Sequence, residues 1–185
     1  MSVEGQSPVV LTVIGLAENA VVFVAGAIAQ GLRNKKKQAG RRDEAVRALV
    51  TAIGALLPHL VELETTLRRM DAVPEGTWLY FMSDGWPLDA ERVDRLARAV
   101  DRAATLSQVL STSSAAAADA VREAIRQRES IRSLMRLDRS ATGHGARGYQ
   151  RQLVIATNCC RKVLDDARTH AADDSRREID RLLSN

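Results

Sequence analysis

The sequence predicts an all-α protein, an antiparallel bundle of four to six helices led by an apolar N-terminal helix. Three observations predict it. Apolar residues recur at helical spacing along most of the 185 residues. No run alternates apolar and polar for long enough to make a strand. Alanine and leucine supply the apolar mass while aromatics make up only 3%, a composition that suits helices packed through small side chains. A chain of this length forms one domain with a sizeable core. Its 45% hydrophobic and 27% charged residues exclude wholesale disorder.

Ser7-Pro8 is a helix start, with Ser7 as N-cap and Pro8 at the first helical position. From Val9 to Ala29 the chain reads VVLTVIGLAENAVVFVAGAIA, and the apolar helix is expected over residues 8–32. Arg33, Lys35, Lys36, Lys37, Arg41 and Arg42 follow with no acid among them, and Gly40 within the run predicts a basic loop over 33–42. The remaining helices are expected over 43–185.

A second helix is predicted from Asp43 to Met70 on the face Val46, Leu49, Val50, Ile53, Leu57, Leu60 and Leu67, kinked at Pro58. Residues 72–88 hold turn signals and most of the aromatics: Trp78, Tyr80, Phe81 and Trp86. They are expected to plug one end of the bundle; an interfacial membrane contact is the functional alternative. A third helix, from Asp89, carries Val93, Leu96, Val100, Ala103 and Leu110 and should break at the polar string Ser111–Ser114. The fourth runs to Leu137 through Val121, Ile125, Ile131 and Leu134. DRSATGHGARG, residues 138–148, reads as a basic loop. The fifth helix spans Tyr149–Ala172 with Leu153, Ala156, Cys160, Val163 and Ala167 inward, and a tail helix carries Ile179, Leu182 and Leu183.

The first 32 residues contain no Lys or Arg. A cleaved secretory signal needs basic residues ahead of its apolar core, whereas here they come after it. Val9 to Ala29 matches a bilayer core in length, and a basic flank would keep the bulk of the chain in the cytoplasm. Against insertion stand Glu18 and Asn19. A central charge costs about 2.5–3.5 kcal/mol, whereas each Val, Leu, Ile or Phe returns only about 0.3–0.6 kcal/mol. The segment balances near zero. It therefore reads as a permanent anchor, a buried core helix or a helix that changes from bundle to membrane.

In the membrane reading Val9, Val10, Leu11, Val13, Ile14, Leu16, Val21, Phe23, Val24 and Ile28 enter lipid. Thr12, Gly15, Asn19, Val22, Gly26 and Gln30 share one face. Small and polar residues on one face can pair helices within a membrane, which assigns Gly15, Glu18, Asn19 and Gly26 to self-association or to a pore wall. The run Arg33, Lys35, Lys36, Lys37, Arg41 and Arg42 is expected at anionic lipid headgroups.

An apolar first helix with an embedded acid, a basic segment and a helical bundle in that order resemble the HeLo and HeLo-like cell-death domains. That group takes in fungal amyloid-controlled effectors, the four-helix domain of the necroptosis pseudokinase and bacterial Bell domains. The phrase SPVVLTVIGLAENAVVFV, residues 7–24, carries the resemblance most closely. The resemblance implies a membrane-permeabilising cell-death or defence effector, cytoplasmic until recruited to the inner face of the plasma membrane. Val9 to Ala29 would be its inserting segment, and an upstream signalling protein a partner. Family members usually append a signalling module, and the closing SRREIDRLLSN does not match one. A soluble helical adaptor and a single-pass anchored protein are the alternatives.

Catalysis is not expected. No nucleophile has a partner base, and His59, His144 and His170 are far apart with no Cys at metal spacing. Neither a metal nor another cofactor is predicted. Cys159 and Cys160, being adjacent, cannot make a disulfide framework. GHGARG, residues 143–148, follows no strand and lacks the Lys-Ser/Thr ending of a phosphate loop. The basic run has no interleaved aromatics, so nucleic acid is not an expected partner. Glu123, Glu129, Asp165, Asp166, Asp173 and Asp174 lie among arginines at the spacing of exposed helix pairs.

Overall fold

The computed structural model describes the backbone of residues 8–70, 74–82, 90–137 and 142–184. Side-chain surroundings are described at residue 30 and from residue 32 onward, apart from residues near the gaps. Six helices and no strand occur among these residues. They are α1 (Pro8–Met70), α2 (Pro74–Met82), α3 (Ala90–Ala103), α4 (Gln108–Leu137), α5 (Thr142–Arg168) and α6 (Asp173–Ser184). The chain divides into two units, Met1–Arg41 and Arg42–Asn185. The boundary falls within the basic run.

Three expected loops or breaks are corrected. The basic segment 33–42 is helix, not loop. Lys, Arg, Gln and Ala favour helix strongly enough that a single Gly40, costing about 1 kcal/mol, does not stop it. No glycine among the described residues has positive φ, so Gly40 makes no left-handed cap. The break between α3 and α4 falls at 104–107, ahead of Ser111–Ser114. Ser107 caps α4 by accepting the Leu110 N–H at 3.1 Å. The serines and threonines that follow settle inside the helix, with Thr112 Oγ1 donating to Gln108 O at 2.8 Å and Ser113 Oγ to Leu110 O at 3.3 Å.

The third correction is at residues 142–148, which already belong to α5. The reason is tertiary. A Cβ at Gly145 would meet Ile131 Cγ1 at 3.1 Å, so glycine there lets α5 close onto α4. Buried Ala117, Ala120 and Ala124 on α4, with Ala146 and Ala156 on α5, serve the same end. Gln152 Nε2 donates to Ala120 O at 3.1 Å across that interface.

In the second unit α3 packs on α4, α6 on α5, and α2 lies across α4 and α5. The predicted face of α1 is buried at every position: Val46, Leu49, Val50, Ile53, Leu57, Leu60 and Leu67, joined by Leu56 and Leu63. The inward residues named for α5 are buried as well. Leu134 is the exception, 54% exposed; Ile131 and Met135 take the inward places on that turn.

Pro58 lies inside α1. Its missing N–H deprives the Gly54 carbonyl of a helical donor, and Gly54 is where Leu182 of α6 comes in, 3.2 Å from the position of a Cβ. The chain reverses after α5 on local bonds: His170 N–H to Ala167 O at 2.9 Å and Thr169 Oγ1 to Asp166 O at 3.0 Å.

Because Leu60 is fully buried in the common core, Leu60→Ala should lower unfolding free energy by about 2–5 kcal/mol, the range for a cavity at such a site. Urea denaturation followed by circular dichroism measures it. Leu134→Ala should cost well under half as much.

Candidate membrane-facing helix and buried polar cluster

The first unit carries the candidate membrane segment. Residues 8–41 are helical throughout. The side chains assigned to lipid insertion (Val9, Val10, Leu11, Val13, Ile14, Leu16, Val21, Phe23, Val24 and Ile28) lie outside the described side chains. So do Gly15, Glu18, Asn19 and Gly26, assigned to self-association. The backbone places all of them on one helix. The 21 residues from Val9 to Ala29 would span about 31 Å at 1.5 Å per residue, close to the hydrocarbon thickness of a bilayer.

The basic run is fully described and has a clear character. Every residue from Leu32 to Arg42 is exposed, about three turns with no covered face. Arg33, Lys35, Lys36, Lys37, Arg41 and Arg42 are distributed round the axis at 100° per residue. None of the six makes an ion pair among the described residues. Arg33–Lys37 and Lys37–Arg41 are like-charged i,i+4 pairs, each opposing the helix by about 0.2–0.5 kcal/mol. The collar is electrostatically unsatisfied as it stands. A negatively charged surface would relieve it.

Among the described residues one stretch, within Leu32–Met70, is long and apolar enough to cross a membrane, and half of its most apolar window is buried. Its leucines are those that form the core, and a core helix passes the same test of length and composition.

The second unit holds a polar cluster that the sequence reading missed. Arg128 of α4 is only 2% exposed. Its guanidinium donates to Glu129 Oε1 at 2.8 Å and reaches the Phe81 carbonyl at 3.5 Å. Tyr80 and Tyr149 sit beside it, and their hydroxyls interact with each other. Burial drives both hydroxyls above the ordinary tyrosine range, and the Arg128 cation opposes this. Phe81 bridges the tyrosines edge-on, with ring centroids 5.3 Å from Tyr80 and 5.5 Å from Tyr149.

The signal for Arg128 was in the sequence. It falls on the stripe Val121, Ala124, Arg128, Ile131, Met135, whose other members are apolar and buried. A charge in core register asks for a partner on another helix.

Of the aromatic segment, Phe81 is buried, and Trp78 and Tyr80 pack against the core, whereas Leu79 between them is exposed. Thr77 Oγ1 donates to Met70 O at 3.0 Å, tying α2 to the end of α1. Trp86 lies outside the described residues. Exposed ion pairs decorate the remaining helices, among them Arg122–Asp119 at 2.8 Å, Arg126–Glu123 at 3.0 Å and Arg177–Asp174 at 2.9 Å. Glu129 departs from that pattern, since its partner is the buried Arg128. No group of metal-ligating side chains occurs among the described residues. No protein-family model, no curated protein and no solved structure matches this chain.

Cys160 is fully buried and Cys159 half-buried. Burial, with a smaller contribution from Cys159, pushes the Cys160 thiol up from 9.0 to about 12. Unfolding releases that thiol to its ordinary value. The stability it contributes is therefore complete below pH 9.0 and is lost as pH rises toward about 12. An aromatic disulfide reagent at pH 8 should accordingly titrate one thiol in the native protein and two after denaturation. Rapid native reaction of both would contradict the burial of Cys160.

Proposed function

We propose that this chain is a membrane-directed, non-catalytic effector domain. Its N-terminal helix enters an anionic bilayer, and its copies assemble there to permeabilise it. The observation that carries the reading is the exposed cationic collar of residues 33–42, set in the same helix shortly after the predominantly apolar segment Val9–Ala29. Six unpaired cations at a bilayer surface gain on the order of 1 kcal/mol each from anionic lipid. That gain offsets a segment otherwise balanced near zero by Glu18 and Asn19.

Self-association gives Glu18 a place. Within lipid its carboxylate must turn toward neighbouring copies or a water-filled lumen, and Gly15 and Gly26 on the same side of the helix allow close approach. The resemblance to cell-death domains points the same way. The site of action would be the inner face of the plasma membrane.

The test is vesicle binding and dye release with the full chain and phosphatidylserine-containing liposomes. The parent should bind and release dye. Lys35→Glu/Lys36→Glu/Lys37→Glu should weaken binding at least about tenfold at low salt with helicity unchanged. Glu18→Leu should hold or raise membrane partition while release falls. Vesicle binding without release in every variant would favour a single-pass anchor. No binding at all would leave a soluble adaptor.

A further inference from the structure

We propose that the trough between α1 and α3 docks an acidic amphipathic helix of a partner protein. This surface belongs to the second unit, and the proposal does not rest on the membrane reading. The trough has a volume of about 370 Å³, and five arginines line it: Arg47 from α1, and Arg92, Arg95, Arg98 and Arg102 from α3. Against them stands one carboxylate in the lining, Glu44. Arg47, Arg98 and Arg102 make no ion pair among the described residues. Arg95 is held by Glu91 at 3.1 Å, an exposed pair that a partner carboxylate can replace. Asp94 and Asp101 of α3 do not line the trough.

The arrangement of the charges selects the occupant. Arg92, Arg95 and Arg102 follow one face of α3 with Ala99 between them, so the cations are strung along about 15 Å of helix. A compact anion such as phosphate would engage one or two of them and leave the rest of the row untouched. A helix bearing carboxylates at three- and four-residue intervals repeats at the same pitch and meets the row in step. Guanidinium groups also bind carboxylates in a two-point fork, which fixes register.

The opposite wall is suited to an apolar ridge. Ala48, Thr51, Ala52 and Ala55 of α1 are small and follow one face at helical spacing. They offer small methyl-bearing side chains against which one side of a third helix can pack. A polynucleotide backbone has no use for such a wall, and no aromatic side chain lines it for base stacking. A second copy of this chain is a poor occupant. Its most acidic short helix, α6, interleaves Arg176, Arg177 and Arg181 with Asp173, Asp174, Glu178 and Asp180, so four acids against three arginines leave it a net charge of only −1.

Fluorescence anisotropy with the full chain tests the proposal. The probe is a labelled peptide of about twenty residues, with Glu at three- and four-residue intervals on one face and Ala and Leu elsewhere. A twin carries Gln for Glu. The parent should bind the Glu peptide at least about tenfold more tightly than the twin, with affinity falling as salt rises. Arg98→Glu/Arg102→Glu should weaken binding at least about tenfold. Thr51→Glu, which adds a negative charge in the trough without removing an arginine, should weaken it too. Arg177→Glu, a charge reversal on α6 outside the trough lining, should leave affinity unchanged, and thermal melts should confirm that all variants fold. Equal affinity for the two peptides, or an equal loss with Arg177→Glu, would overturn the proposal. So would a parent that ignores the peptide while the trough variants lose binding to phosphatidylserine vesicles. That result would assign the arginines to lipid.

Discussion

The second unit depends on the need to hide one apolar stripe. Over about six turns of α1, from Val46 to Leu67, nine Val, Leu and Ile side chains leave water completely or nearly so. Each such burial contributes about 1.5–3 kcal/mol. The shorter helices supply the cover, and their alanines and Gly145 let α4 and α5 close together. Helix α6 fits because Gly54 leaves space for Leu182, one turn before the proline that would otherwise weaken α1. The polar cluster works under the same constraint. Once Arg128 is drawn into core register, its charge is compensated by Glu129, the end of α2 and the paired tyrosines.

Helix α1 changes its solvent within a few residues. From Leu32 to Arg42 it is exposed and cationic all round, and from Ala45 its inward face is buried. The collar has the chemistry of an unsatisfied surface, and the buried stripe does not. A buried stripe is held by short-range packing, which a membrane could only duplicate. Unpaired cations interact over roughly a Debye length, about 8 Å in physiological salt. This difference underlies the proposal that the first unit meets a membrane while the second keeps its fold. The arginine trough on α1 and α3 is a second unbalanced surface, of a shape that suits a helix.

Much of the fold was legible in the residues. Leucine and valine spacing located the inward faces of α1 and α5 correctly, and Ile179 and Leu182 marked α6. Glycine and serine misled. Gly40 and Gly145 read as loop residues, but the first is outweighed by its helix-favouring neighbours and the second answers to Ile131, distant in sequence. Ser111–Ser114 read as a break because local rules do not reveal hydroxyls bonding back to the preceding turn. Arg128 was passed over among other arginines, although its position in the apolar register distinguished it. The collar residues stand out in the sequence by their charge, and the structure shows them exposed. Their helical state does not stand out, because runs of like charge suit loops and exposed helices alike.

The central claim is that one helix serves two surroundings, with the bundle holding its C-terminal part and a membrane receiving its N-terminal part. Hydrogen–deuterium exchange on the full chain, with and without phosphatidylserine vesicles, tests it most directly. Amides of residues 45–67 should be strongly protected in both conditions, as expected for a packed core helix. Those of residues 9–42 should exchange much faster in water and slow by at least about tenfold when vesicles are added. If residues 9–42 exchange as slowly as the core without vesicles and do not change when they are added, the first segment is already buried and the account is wrong.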